Sequence, residues 1–397
     1  MTNTLFEEWR DRSPWYDDTH EDLASSLRGF LAREAAPHIE EWEDAGQVPR
    51  EFHRRAGEAG LLGLGFSEEY GGTREGHDQF HDLVKIEEIA AVGSGGLMMG
   101  LLTHNVALPP IIELGDPELR DRVAPEVISG DKILAIAITE PTGGSDVAGL
   151  RTTATREGDH YVVTGEKTYI TNGMRADYLL TAVRTGGEGM GGLSILVIEA
   201  DAEGVGRTPL RKMGLHASDT ATIYLDHVKV PVTHLIGPEN EGFKHVMGGF
   251  NVERLGVAQQ CTGFSRVCLD EAARYAGERE TFGRTIGSHQ LVRAQLADLT
   301  RQIDATQAMT ELCAWRFQQG QATPAELALL KVQATLTFDA VAKGAVTVLG
   351  GSGFMRGTAS ERLYRDVRAM ATGGGTEDIL RDLAGRQLGY GTWYGTR

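Results

Sequence analysis

The chain is poor in cysteine, in basic charge and in long apolar runs, and each shortage excludes something. Its three cysteines, Cys261, Cys268 and Cys313, leave an odd count and form no C-x-x-C pair. They read as small buried apolar side chains in a reducing compartment, not as a disulfide framework. Lysine and arginine together number 39 against 56 acidic residues, a formal charge of −17. Phosphate backbones and anionic membranes require a basic face, so neither nucleic acid nor a membrane is an expected partner. No apolar run is expected to reach the length of a bilayer span. Met1 to Asp18 mixes Glu7, Glu8, Arg10, Asp11 and Arg12 and has no apolar leader core, so a cytoplasmic location is expected.

What is present is an ordinary globular composition, 41% hydrophobic and 24% charged over 397 residues. That is too apolar for wholesale disorder and long enough for two or three domains with an ample core. The hydrophobic period divides the chain. Residues 18–131 read as helices, with Leu23, Leu27, Phe30 and Leu31 at helical spacing. Residues 132–236 switch to short strands punctuated at Gly158-Asp159 and Asn172-Gly173. Their connections are too short for crossover helices, which suggests an antiparallel barrel or sandwich. Residues 237–397 return to helix, with Val257, Cys261, Phe264 and Cys268 recurring at steps of four and three.

Within the strand-rich part, the apolar run Ile133–Ala137 leads into Ile138-Thr139-Glu140-Pro141-Thr142-Gly143-Gly144-Ser145-Asp146. Pro141 stops the strand, and the glycines allow a close backbone approach to a ligand. A second loop, Thr168-Tyr169-Ile170-Thr171-Asn172-Gly173, closes a hairpin downstream. Gly187-Glu188-Gly189-Met190-Gly191-Gly192 matches the dinucleotide fingerprint formally, but a strand follows it where that fingerprint needs a helix, so it reads as a hairpin loop. His77 and His81 stand four apart on a helix, a metal-ligand spacing that no third ligand completes; no metal is expected. Glu253 lies three after Phe250 and four before Val257, on the apolar side of its helix. A carboxylate on that side is costly unless it is paired or has a task.

The two loops, with Asn251-Val252-Glu253-Arg254, Arg279-Glu280-Thr281-Phe282-Gly283 and Gly374-Gly375-Thr376-Glu377-Asp378-Ile379, resemble the acyl-CoA dehydrogenases, from about Asp18 to about Gly389. The resemblance implies a helical domain, a β-barrel domain and a four-helix-type bundle. It implies α,β-dehydrogenation of an acyl-CoA thioester to trans-2-enoyl-CoA, with FAD as hydride acceptor. Most of that family carries its base in the C-terminal turn, where this chain has Gly374; a minority, the long-chain and isovaleryl types, carries it in a helical Glu-Arg-Leu. Glu253-Arg254-Leu255 matches the minority, so Glu253 is the implied base and the Gly374 N–H an implied thioester donor.

By the same matching, Ile138, Thr139, Gly144, Ser145, Tyr169 and Thr171 are implied flavin contacts, and Ser145 with Asn251 and Arg254 implied substrate contacts. Arg279, Thr281, Phe282 and Gln290 are similar to residues that grip a neighbouring subunit's FAD, which implies a homo-oligomer, a tetramer. Gly350, Gly351, Thr376 and Asp378 match further cofactor turns. An electron-accepting flavoprotein is the implied partner. Two alternatives stand beside this: the same chemistry on a carrier-protein thioester, and a non-catalytic FAD-containing relative that binds nucleic acid.

Overall fold

The computed structural model describes residues 4–391. Helices run from Thr4 to Ile128, strands from Leu134 to Ile236, and helices again from Gly242 to Gln387. Two helices of the first part begin on capping boxes that the sequence supplies. Asp17 caps Asp18–Glu34 with His20 reaching back, and Asp78 caps Gln79–Ala90 with His81 reaching back. Gly95–Leu114 does have the length and composition of a membrane span, contrary to expectation. Here it is split at Thr103 into Gly95–Leu102 and His104–Leu114, and half of its apolar window is buried inside the protein. Leu97, Met98, Leu101, Leu108 and Ile111 are all in the core.

The strands are β1 (Leu134–Ala137), β2 (Thr153–Glu157), β3 (His160–Thr171), β4 (Tyr178–Arg184), β5 (Leu193–Glu199), β6 (Val205–Pro209), β7 (Thr220–Pro231) and β8 (Leu235–Ile236). They pair in the order β6-β7-β3-β2-β4-β5-β8, with β1 added to β4. The expected antiparallel barrel is therefore corrected on two counts. Among the described residues β6 and β8 end the sheet unpaired with each other, so it is open, and β1 runs parallel to β4, so it is mixed. Alternation along a strand fixes which face is buried but not which strand lies alongside. The glycine-rich stretch 187–192 is a turn between β4 and β5, exposed up to Gly191, where Arg184 Nη1 donates to the carbonyls of Gly187 and Gly189.

The C-terminal part is built on the Gly242–Glu278 helix, against which Gln290–Gln318, Pro324–Leu349 and Ala359–Met370 pack. Val257, Cys261, Phe264 and Cys268 form its buried stripe, and all three cysteines are free and buried. Its other side meets Gln79–Ala90. Gly256 lies against Ile86, and Gly263 lies so close to Ala90 that a Cβ there would come within 2.7 Å. That contact brings the helix carrying Glu253 against the first domain.

Candidate active site

Between Gln79–Ala90, the split helix Gly95–Leu114 and Gly242–Glu278 lies a cavity of about 220 Å³. Leu83, Ile86, Leu102, Val106, Pro109 and Leu255 give it an apolar wall, and Glu253 is on its lining. Burial pushes the Glu253 carboxyl above the usual carboxylate range, while Arg254 and Lys331 pull it back.

Gly374 faces Glu253. A Cβ built on it would lie 3.5 Å from Glu253 Cδ, and its φ of +66° is one that favours glycine. Two buried cations hold this turn by its carbonyls: Arg254 Nε donates to Gly374 O at 3.3 Å and Lys331 Nζ to Gly375 O at 2.9 Å. Arg254 Nη1 also donates to Asn251 Oδ1 at 2.8 Å. The Gly374 N–H itself has no acceptor among the described residues. Thr376 then caps Glu377–Gln387 by accepting from Ile379 N. Asp378 is exposed and paired with Arg381 at 2.8 Å. Asn251, Glu253, Arg254, Gly374 and Thr376, scattered in sequence, are thus brought together.

The two β-domain loops are joined as well. Thr168 N donates to Thr139 O at 2.8 Å. Beneath them the Glu140 carboxylate accepts from Arg151 N, Thr152 N and Lys167 Nζ at 2.7, 2.8 and 2.9 Å. Lys167 Nζ also donates to Ile138 O. Burial works against the Glu140 charge, but Lys167 and these donors hold the carboxyl below its usual range. A bulge between Lys167 and Ile170 turns Tyr169 outward, 71% exposed and at a φ of 61° that non-glycine residues rarely adopt. Asn172, also left-handed, is fully buried; its Nδ2 donates to Gly100 O and Thr103 Oγ1, both at 2.9 Å.

FAD fits this platform. Ile138 and Thr139 are half-buried at its edge, Gly144 and Ser145 lie on the exposed rim, and Thr171 is half-buried beside Tyr169. The backbone N–H groups of Gly144 and Ser145 and the hydroxyls of Thr139, Ser145 and Thr171 make no hydrogen bond among the described residues. An open row of donors beside a flat apolar edge suits a pyrophosphate and a ring system.

Other expected cofactor contacts do not converge here. Arg279 and Phe282 are exposed on the turn after Gly242–Glu278, Gln290 is exposed at the start of Gln290–Gln318, Thr281 is half-buried in the Glu280–Thr281/Arg284–Thr285 hairpin, and Gly350 and Gly351 are exposed beyond Pro324–Leu349. No hydrogen bond among the described residues joins them to the two loops.

His77 and His81 part company. His81 Nδ1 pairs with Asp78 at 2.9 Å, whose other imidazole partner is His20 at 3.1 Å, all within the two caps. His77 instead lies on the cavity lining, as does its neighbour Asp82.

Lys331, Lys167, Asn172 and Glu140 were not singled out in the sequence. Lys331 was visible there only as a lysine within an apolar run, and Lys167, between Glu166 and Thr168, carried no such signal.

Three family models cover almost the whole chain: acyl-CoA dehydrogenase N-terminal domain over residues 17–131, middle domain over 135–228 and C-terminal domain over 240–389. The long-chain specific mitochondrial acyl-CoA dehydrogenase of Sus scrofa is 33% identical over 94% of this chain and 87% of its own length. An acyl-CoA dehydrogenase from Geobacillus kaustophilus of known structure superposes with a TM-score of 0.91 at 34% identity, covering 95% of this chain and 99% of that one. A glutaryl-CoA dehydrogenase from Mycobacterium smegmatis, solved with FADH2, gives 0.89 at 25% identity, with 96% and 97% covered.

Proposed function

Because the chain belongs to the acyl-CoA dehydrogenase family, whose members are FAD-dependent oxidoreductases acting on CH–CH bonds, we propose that it converts an acyl-CoA to its trans-2-enoyl-CoA with Glu253 as base. The carrying observation is that a half-buried carboxylate of raised pKa on the lining of an apolar cavity faces a turn whose N–H is unpartnered among the described residues. Glu253 takes the proton from the α-carbon, and burial makes it basic enough to do so. The Gly374 N–H donates to the thioester oxygen as negative charge develops there. Arg254 and Lys331 fix that N–H before the substrate arrives, so no reorganisation is needed during the step. Bound FAD supplies the acceptor for the β-hydride. The apolar cavity wall excludes water, and the exposed Arg279–Phe282 turn and Gln290 reach a neighbouring copy's cofactor in a homotetramer. Electrons then leave to an electron-accepting flavoprotein.

The test is anaerobic flavin bleaching by an acyl-CoA panel. Glu253→Gln should keep its FAD and lose ~10²–10⁴ in bleaching rate, the usual worth of a positioned base. Adding Gly374→Glu should restore part of that rate from the facing turn, limited by the left-handed backbone there. Bleaching of Glu253→Gln at the parent rate would remove Glu253 from the chemistry. Bleaching only by carrier-bound esters would move the substrate class.

A further inference from the structure

The cavity that Glu253 lines is apolar for the most part but also has polar side chains on its lining, Gln260, Lys85, His77 and Asn105 among them. Gln260 lies seven residues beyond Glu253, so on the same helix face and about 10 Å farther along it at ~1.5 Å per residue. It is 8% exposed, lines the cavity, and its Oε1 has no hydrogen-bond partner among the described residues. Lys85 is 1% exposed and also on the lining; its Nζ is 3.0 Å from Asp82 Oδ1, its one ion-pair partner among the described residues. Two of its three ammonium protons therefore have no partner among the described residues. His77 Nε2 stands 3.4 Å from Asp82 Oδ2 without forming a hydrogen bond, and the Asn105 amide, half-buried on the same lining, has no protein partner among the described residues.

A cavity meant for a plain hydrocarbon chain has no use for these groups, because each unpaired buried donor or acceptor weakens the site. Donors and an acceptor are both present, and the one buried cation is already balanced by Asp82. A second carboxylate entering here would find no spare positive charge and would share the cavity with Glu253.

We propose that this pocket selects an acyl chain bearing an uncharged hydrogen-bonding substituent, a hydroxyl or a carbonyl, about 10 Å beyond the reacting carbons. Gln260 and Lys85 are its specificity-determining residues. The proposal rests on the dehydrogenase reading for the thioester end and deepens it at the other.

The experiment uses the FAD-loaded enzyme and three matched series of octanoyl, decanoyl and dodecanoyl esters of CoA: unsubstituted, terminal-hydroxy and terminal-carboxy. At one or more lengths the hydroxy ester should exceed its plain parent in kcat/KM by ~10-fold, the worth of about one net hydrogen bond. Gln260→Leu and, separately, Lys85→Met should collapse that ratio, with FAD content measured to confirm folding. Plain esters preferred at every length would show the polar lining to be merely hydrated and overturn the proposal. So would preference for the carboxy series, or a hydroxy preference that both variants leave intact. Non-oxidisable thioether analogues read the same selectivity as shifts of the flavin spectrum. If the hydroxy thioethers bind selectively but no ester is turned over, the dehydrogenase reading fails and this one stands. If no analogue binds, both fail.

Discussion

Glu253 carries a proton affinity set by a contest between burial, which raises it, and the cations of Arg254 and Lys331, which lower it. A base works only once deprotonated, so the acid limb of the rate should fall around a pKa above the ordinary carboxylate value. Lys331→Met removes one of the two cations, and the limb should move to higher pH in the dependence of flavin reduction. An unmoved limb would mean that Lys331 serves the turn through Gly375 O alone. Glu253 and Gly374 were legible in the sequence because one sits on an apolar helical stripe and the other is a glycine in a turn where a carboxylate is common. Lys331 was not, because nothing in a lysine's helix reports a carbonyl acceptor 44 residues away.

Among the elements, the two β-domain loops are hydrogen-bonded where they touch the protein and open where they face outward. Asn172 does much of this, holding a left-handed turn in β3's exit while tying it to the junction of the split helix. Asn172→Ala leaves Thr103 Oγ1 and one bond of Gly100 O unanswered, at about 1–3 kcal/mol by general experience with orphaned buried groups. Thermal unfolding should come earlier, and FAD should dissociate more readily on dilution as Tyr169 and Thr171 lose their anchor. Unchanged flavin retention would detach Asn172 from the cofactor platform. The loops could be seen in sequence because glycine, proline and asparagine mark turns locally. The open edge of the sheet could not, since strand partnership is decided by tertiary packing; β6, five residues of mostly half-buried character, offered too weak an alternation to be found at all.

At the scale of the whole molecule, one carboxylate joins all three parts. Asp366, on Ala359–Met370, accepts from Gly95 N at 3.0 Å and from Leu215 N at 2.6 Å. Burial pushes its pKa up to about 7 against these two donors. Asp366→Ala orphans both N–H groups, so calorimetry should show a loss of about 1–3 kcal/mol for each; Asp366→Asn, which keeps one acceptor, should lose less. Equal losses would mean that the space filled by the side chain matters more than its oxygens. A second large-scale feature is outward apolar surface: Phe282 is 96% exposed, Phe354 85%, Leu291 84% and Met355 64%. Apolar side chains mark an association surface only where they form one contiguous patch. Arg279→Glu places a negative charge where a neighbour's pyrophosphate is expected, and should yield flavin-depleted enzyme of smaller size by sedimentation. Full FAD loading in that variant would place the cofactor wholly within one subunit's reach.

The Asp366 joint also bears on how the chain is made. A nascent chain folds from its N-terminus as it emerges, so the amides of Gly95 and Leu215 are synthesised long before the residue that satisfies them. Until position 366 has left the ribosome, the helical and sheet domains have two donors and a seam that nothing covers. The incomplete chain is therefore the vulnerable species, and any truncation before Ala359–Met370 would prolong its exposure to aggregation and proteolysis indefinitely.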